Sequence, residues 1–133
     1  MIADALTAKL AIAFGTYFFV AGVAFFGRHG TVQALFAALK DDKPLLYVSG
    51  VATYALGVTL IIVHNRWDNV LAGAISLIAW VMALEGLALI AAPRSLLRLS
   101  SGALSPRGHR IFLAASVLLG TTMIVAGALA LAR

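Results

Sequence analysis

Four long apolar runs are the feature that most limits what this chain can fold into. They are Leu10–Phe26, Leu45–Val63, Val70–Ala92 and Ile111–Ala132, and each reaches the ~17–25 residues that a helix needs to cross about 30 Å of hydrocarbon. Hydrophobic residues make up 62% of the chain and charged residues 11%, against about half and about a quarter in a soluble domain. The sequence therefore predicts an all-α, polytopic membrane protein with four transmembrane helices in a single domain, residues 1–133.

The composition also excludes several kinds of chemistry. The chain has no cysteine, which removes disulfides, thiolate metal sites and cysteine nucleophiles. The residues before the first apolar run carry no basic leader, so we expect this run to be a retained span and not a cleaved signal peptide.

Basic residues are divided unequally between the two sides that alternating spans define. One side holds three and the other seven: Lys9, Arg66 and Arg133, against Arg28, Lys40, Lys43, Arg94, Arg98, Arg107 and Arg110. Short basic loops stay in the cytoplasm. We therefore expect loops 28–44 and 93–110 to be cytoplasmic in a bacterial inner membrane, with both termini and loop 64–69 outside. Because the seven cations flank spans, anionic lipid headgroups are their expected partners, and nucleic acid is not.

The chain reads as two copies of one unit, residues 1–65 and 66–133. Each unit is a span, an amphipathic segment and a returning span. An offset of 64 aligns Asp4 with Asp68, Ala8 with Ala72, Gly22 with Gly86, Ala24 with Ala88, Thr31 with Ser95 and Leu35 with Leu99. Because each unit crosses twice, the sequence predicts two parallel repeats related by an axis along the membrane normal.

The segments between the spans of each unit are predicted to be interfacial helices. In the first, a single apolar stripe recurs at helical spacing, formed by Val32, Leu35, Phe36 and Leu39. Thr31 and Ser95 are placed to cap the two segments, and Gly102 to end the second. Such helices lie with the apolar face in the membrane and the cations toward headgroups.

Glu85 is the one acidic residue inside a predicted span. A charged carboxylate at that depth costs roughly 2.5–3.5 kcal/mol on insertion scales, so it should face the bundle or a partner chain. Ser49, Thr53 and Ser116 lie at comparable depth on other helices. Glu85 is either a carboxylate that couples protons or cations, or a protonated acid that holds helices together by a hydrogen bond to a hydroxyl.

Small residues recur at spacings that keep them on one helix face, which lets backbones approach closely. Two spans carry them seven residues apart, and another carries them four and then seven apart: Gly15 and Gly22, Gly50 and Gly57, then Ser116, Gly120 and Gly127, with Gly86 on the third span. These faces predict either a seam between subunits or packing within the four-helix bundle.

The polar sequence His64-Asn-Arg-Trp-Asp-Asn69 interrupts the apolar runs. It offers one histidine and one aspartate, whereas zinc needs three or four ligands, so no metal site is predicted. No serine is placed for catalysis with His64 and Asp68. A haem or chlorophyll needs only one histidine, which leaves that role open for His64 without other support, and no cofactor is predicted. We interpret the segment as an outward-facing turn with Asn65 at the turn, Trp67 as interfacial anchor and Asp68 as cap of the next helix.

Two resemblances follow from these residues. The HNRW turn and the span after it resemble small uncharacterised four-helix bacterial membrane proteins with an HNxW turn; the match covers Leu45–Pro93, and its positions are His64, Asn65, Trp67, Trp80, Gly86 and Pro93. The stretch Ala83–Gly127 is similar to short two-helix inner-membrane proteins of unknown function, through Glu85, Gly86 and Pro93. Both resemblances imply a topology and neither implies an activity.

The function expected from the sequence is non-enzymatic. The chain lacks a catalytic constellation, and its glycine-lined faces suit association with itself or with other membrane subunits. We expect an accessory or scaffolding subunit of a larger membrane assembly or homo-oligomer. The alternative is a small oligomeric transporter or channel in which Glu85 carboxylates couple protons or cations.

Overall fold

The computed structural model describes residues 2–99 and 105–133, which form six helices and no strand. The helices are α1 Ile2–Phe25, α2 His29–Asp41, α3 Lys43–Val63, α4 Val70–Ala91, α5 Pro93–Leu99 and α6 Pro106–Leu131. The predicted all-helical architecture is confirmed, and α1, α3, α4 and α6 are long and apolar enough to cross a membrane. Gly102, which was expected to end the second amphipathic segment, lies outside the described residues.

Polar caps set where the long helices begin, so α3 and α6 start before their apolar runs. Asp42 precedes α3, and its carboxylate accepts the backbone N–H of Leu45 at 2.9 Å. Ser105 precedes α6, and its hydroxyl accepts the N–H of Gly108 at 3.0 Å. Pro106 then occupies the first helical position, where a missing N–H costs no hydrogen bond. The helix α6 therefore starts five residues before the predicted run.

The two short helices exist, but the predicted caps were wrong. Helix α2 begins at His29, after Arg28, which makes no side-chain cap, and Gly27 reverses the chain there with a φ of 80°. Helix α5 begins at Pro93. Thr31 and Ser95 therefore lie within their helices. Neither α2 nor α5 has a buried residue, so both lie on the surface of the bundle.

The long helices pack as two pairs, α1 with α6 and α3 with α4. The pairs meet chiefly through α1 and α4, at a small core of Ala11, Ile75 and Met123. Each pair takes one helix from each predicted repeat. Outside these contacts, most large apolar side chains of the described residues are exposed, as expected for helices that face hydrocarbon.

Glycine brings the backbones of α3 and α4 together. A Cβ atom built on Gly57 would lie 2.9 Å from the carbonyl oxygen of Ala79, and one on Gly86 would lie 2.7 Å from that of Gly50. Real Cβ atoms essentially never approach another atom closer than 3.0 Å. No larger residue fits at these positions unless the helices separate.

The same arrangement joins α1 and α6. A Cβ atom on Gly120 would lie 2.6 Å from the carbonyl oxygen of Gly15, and one on Gly127 would lie 2.8 Å from that of Ala8. Gly22 similarly faces α6, where a Cβ atom would lie 3.1 Å from the carbonyl oxygen of Leu113. All seven glycines that the sequence analysis singled out thus contact another helix of the same chain.

The bundle has two chemically different ends. Helices α2 and α5 lie at one end, which we call the basic end. Residues 64–69, which connect α3 to α4, lie at the other, which we call the loop end.

Candidate functional site

His64 is buried at the loop end, where it packs against α1. It follows the last residue of α3, and only 1% of its surface is exposed. Its Nε2 atom lies 2.7 Å from the hydroxyl oxygen of Thr7 on α1. The local sequence did not reveal that His64 is buried, because its burial depends on α1, whose Thr7 lies 57 residues away in sequence.

The second ring nitrogen of His64, Nδ1, has no hydrogen-bond partner in the described structure. If Nε2 donates to Thr7, Nδ1 is an unpaired acceptor; if Thr7 donates, Nδ1 is an unpaired donor. Among residues 2–99 and 105–133, no group of three histidine, aspartate or glutamate side chains is close enough to hold a metal ion. The contact of His64 with Thr7 links the loop to α1.

Ser76 of α4 holds the loop backbone in place. Its hydroxyl accepts the N–H of Arg66 at 2.9 Å and lies 2.8 Å and 3.0 Å from the carbonyl oxygens of Arg66 and His64, to one of which it donates. Ser76 is 1% exposed. The roles of Ser76 and Thr7 could not be predicted from the sequence, since a lone hydroxyl in an apolar helix gives no local sign of its partner.

An exposed ionic cluster covers the loop. The guanidinium of Arg66 donates to both carboxylate oxygens of Asp68, at 3.0 Å and 2.6 Å, and lies 3.5 Å from the carboxylate of Asp4 on α1. A backbone hydrogen bond and the Arg66 side chain lower the pKa of Asp68, and the hydrogen bond to Asp68 raises the pKa of Arg66. The pair is thus intact at neutral pH and is lost only as the pH falls through the lowered pKa of Asp68.

Asn69, and not Asp68, caps the helix that follows the loop. The carboxamide oxygen of Asn69 accepts the N–H of Ala72 at 2.8 Å, while Asp68 turns toward Arg66. The predicted cap was therefore one residue too early. Aspartate and asparagine are both good caps, and the sequence does not show which of the two side chains a neighbouring cation engages.

Asn65 organises the two tryptophans of the chain at the loop end. Its side-chain oxygen accepts the indole N–H of Trp67 at 2.9 Å and lies 3.5 Å from that of Trp80. Trp67 is 60% exposed, which suits an indole at a headgroup interface. Polar contacts with Asn65 thus hold both tryptophans at the loop end.

Glu85 lies on the surface of α4, and its side chain is exposed. The described parts of the chain offer its carboxylate no hydrogen bond and no ion pair. None of the three hydroxyls expected at its depth bonds to it in the described residues: Ser116 donates to the carbonyl oxygen of Phe18 at 3.0 Å, and neither Ser49 nor Thr53 bonds to Glu85. The carboxylate therefore points away from the interior of its own bundle.

Two histidines meet at the basic end, which the sequence analysis did not predict. The rings of His29 and His109 are 5.0 Å apart and nearly perpendicular. His109 is buried, and its Nε2–H donates to the carbonyl oxygen of Phe25 at 3.2 Å. The hydrogen bond between His109 and Phe25 connects the first turn of α6 to the last residue of α1.

Four of the seven cations at the basic end line one groove between α2, α3, α4 and α5. They are Lys40, Lys43, Arg94 and Arg98. The other three, Arg28, Arg107 and Arg110, are exposed and do not line it. The sequence predicted the side of the membrane for all seven and did not predict this convergence.

No protein-family model, no curated protein and no solved structure matches the chain. The resemblances to small bacterial membrane proteins therefore stay predictions, and the function rests on the geometry of the chain itself.

Proposed function

We propose that this protein is a non-enzymatic accessory or scaffolding subunit that associates, within a membrane, with copies of itself or with other membrane subunits. One observation carries the proposal: the carboxylate of Glu85 is exposed on the outside of the bundle, in the middle of an apolar helix.

The depth of Glu85 makes exposure to lipid unfavourable. It lies six residues before the end of α4 at Ala91, about 9 Å along the helix axis. A charged carboxylate inside hydrocarbon costs several kcal/mol. A hydrogen-bond donor or cation from another chain would offset this cost, and the described residues of this chain supply neither.

The uncovered surface continues around Glu85. Ile78, which lies two helical turns earlier on nearly the same face, packs against the core that joins α1 and α4. Glu85 is exposed, so the α1/α6 pair does not cover this face at that level. Leu77, Val81 and Leu84 are each more than half exposed on the adjoining face of α4. These residues together offer an apolar surface with one acidic group.

The glycine faces do not supply this association surface. Each of the seven glycines already contacts another helix of the same chain. A partner must therefore use larger side chains such as those around Glu85, and the homo-oligomer seam that the glycine spacing left open is not the one we propose.

A transporter or channel is the second candidate, favoured by the same outward carboxylate. In a symmetric oligomer, Glu85 side chains from several copies would meet at the axis, where they bind a proton or a cation. A transporter or channel requires a flux of protons or cations across the membrane, whereas a scaffold does not.

The test compares Glu85→Leu with Thr121→Leu. Thr121 is an exposed hydroxyl in α6 that donates only to the carbonyl oxygen of Val117 in its own helix, so its loss removes a polar group from a helix other than α4. Protein is extracted in a mild detergent, and its mass and co-purifying subunits are measured by native mass spectrometry. We expect Glu85→Leu to lose its partners and Thr121→Leu to keep them.

Two results would contradict the scaffold. One is a wild-type chain that purifies alone as a monomer. The other is cation or proton flux in proteoliposomes that Glu85→Gln abolishes while the assembly stays intact, which supports the transporter.

We also propose that the chain consists of two parallel repeats, residues 1–65 and 66–133. The support is a recurrence of backbone contacts. Gly57 approaches the carbonyl oxygen of Ala79 and the backbone of Ala83, and Gly120 approaches the same atoms of Gly15 and Phe19. Gly57 and Gly120 lie in the second spans of the two repeats and are 63 residues apart. Their contacts in the first spans, Ala79 and Gly15, are 64 residues apart. The same offsets relate the contacts of Gly86 with Gly50 and Tyr54 to those of Gly22 with Leu113 and Val117.

The proposed location is a bacterial inner membrane, with the loop end outside and the basic end in the cytoplasm. Single cysteines test this directly, since the chain has none of its own. Cysteine at Arg133 should react with an impermeant thiol reagent in intact cells, and cysteine at Asp41 only after lysis. The reverse pattern would refute the orientation.

A further inference from the structure

The groove at the basic end is an open cavity of about 900 Å³, which we call the basic groove. Four helices form it, and each contributes side chains through its own geometry. Phe36 and Lys40 lie one turn apart on α2, as do Arg94 and Arg98 on α5. Residues four apart share one face of a helix, so each short helix presents to the groove a pair that includes a cation.

The inner wall of the basic groove is apolar. Leu46 from the first turn of α3 and Leu89 from the last turns of α4 are both buried, and Ile90 and Tyr47 extend the wall. The wall lies at the ends of two helices that are long and apolar enough to cross a membrane. It therefore lies at the depth where acyl chains meet headgroups.

No acidic residue among those described lines the basic groove. Four of its eleven lining residues are cationic and none is acidic. The nearest acids in sequence, Asp41 and Asp42, do not line it, and the Asp42 carboxylate already caps α3. Within the described ranges, Lys40, Lys43 and Arg94 form no ion pair. Four cations around one cavity suit a ligand with more than one negative charge.

We propose that the basic groove binds one anionic phospholipid whose headgroup carries two phosphates. The phosphates are held by Lys40, Lys43, Arg94 and Arg98, and the acyl chains lie against the apolar wall. A free phosphate uses the cations alone and leaves this wall exposed to water. A lipid occupies both surfaces, because its headgroup and its chains are joined in the order in which the groove presents cations and apolar side chains.

The experiment measures lipid retention by native mass spectrometry of the purified chain. The probes are tetraacyl diphosphatidylglycerol, with two phosphates, and phosphatidylglycerol, with one, at equal total charge. We expect the two-phosphate lipid to bind wild-type protein at least tenfold more tightly. Equal retention of the two lipids would overturn the proposal.

A matched pair of triple variants separates the site from general surface charge. Lys40→Gln, Lys43→Gln and Arg94→Gln neutralise three cations of the basic groove; Arg28→Gln, Arg107→Gln and Arg110→Gln neutralise three cations of the same end outside it. A cation near an anionic headgroup contributes about fivefold to binding. The groove triple should therefore bind on the order of 100-fold more weakly, and the control triple within about threefold of wild type. Equal losses in both would overturn the site.

Two further measurements separate misfolding from loss of binding, and a lipid from a free phosphate. A charge-preserving triple, Lys40→Arg, Lys43→Arg and Arg94→Lys, should keep most of the binding if the neutral triple fails to fold. Inorganic pyrophosphate is added to delipidated protein as the free-phosphate probe. Stoichiometric binding of pyrophosphate that is as tight as lipid binding would assign the groove to a soluble anion and refute the lipid.

Discussion

Substitution of Gly86 by alanine tests the close packing of α3 and α4. The added Cβ atom would lie 2.7 Å from the carbonyl oxygen of Gly50 and equally close to the Cα atom of Tyr54. The backbone nitrogen of Tyr54 would lie closer still. Ordinary van der Waals contact begins near 3.4 Å, so the helices must separate by more than about 0.7 Å. All three obstructing atoms belong to the backbone, which cannot turn aside as a side chain would.

The magnitude follows from a matched control in the same helix. Overpacking of this kind costs about 1–3 kcal/mol, and replacing glycine by alanine in a helix returns about 0.5–1 kcal/mol. Gly73→Ala makes the same chemical change where the nearest atom is Cε3 of Trp67 at 3.7 Å, an ordinary contact. The gain in helix propensity is common to both variants, so Gly86→Ala should be about 1–3 kcal/mol less stable than Gly73→Ala.

The assay is unfolding by sodium dodecyl sulfate in mixed micelles, followed by circular dichroism, with the oligomeric state measured in parallel. Equal stability of the two variants would refute the close approach of α3 and α4. A change in oligomeric state without a change in the stability of the single chain would instead place the Gly86 face between subunits.

Two other predictions concern the loop end. Asn69→Ala should cost about 0.5–2 kcal/mol because it removes the cap of α4, whereas Asp68→Ala should leave unfolding within error, since an exposed ion pair adds little; the reverse order in the same unfolding assay would restore Asp68 as the cap. Thr7→Val leaves Nε2 of buried His64 without its hydroxyl and should cost about 1–3 kcal/mol. Thr16→Val is the control, because that hydroxyl bonds only within α1, and equal effects of the two would disprove the link to His64.

The number of long helices was predictable because lipid imposes a minimum length on apolar runs. Their starting residues were not, since Ser105 and Asp42 begin helices before the sequence turns apolar. Which of Asp68 and Asn69 caps α4 depended on a third residue, Arg66, because its guanidinium binds the carboxylate of Asp68.

The partners of the helices could not be predicted from the same patterns. The spacing of Gly15 and Gly22 indicates a face that approaches another backbone, but it does not say which one. Burial of His64 was hidden for a similar reason, because Thr7 reaches it from a helix far away in the sequence. Exposure of Glu85 depends on where the α1/α6 pair stops covering α4, which is a property of the assembled bundle.

The pairing of the first long helix with the last also sets the order in which the protein can be completed during synthesis. Helices α3 and α4 are joined by a short loop and can pack as soon as both have left the ribosome. Helix α1 has no such neighbour, because the carbonyl of Phe18 receives its hydrogen bond from Ser116, 98 residues later. A nascent chain therefore carries the glycine face of α1 uncovered until α6 is made. A truncation between α4 and α6 leaves the α3/α4 hairpin and a first helix without its main partner.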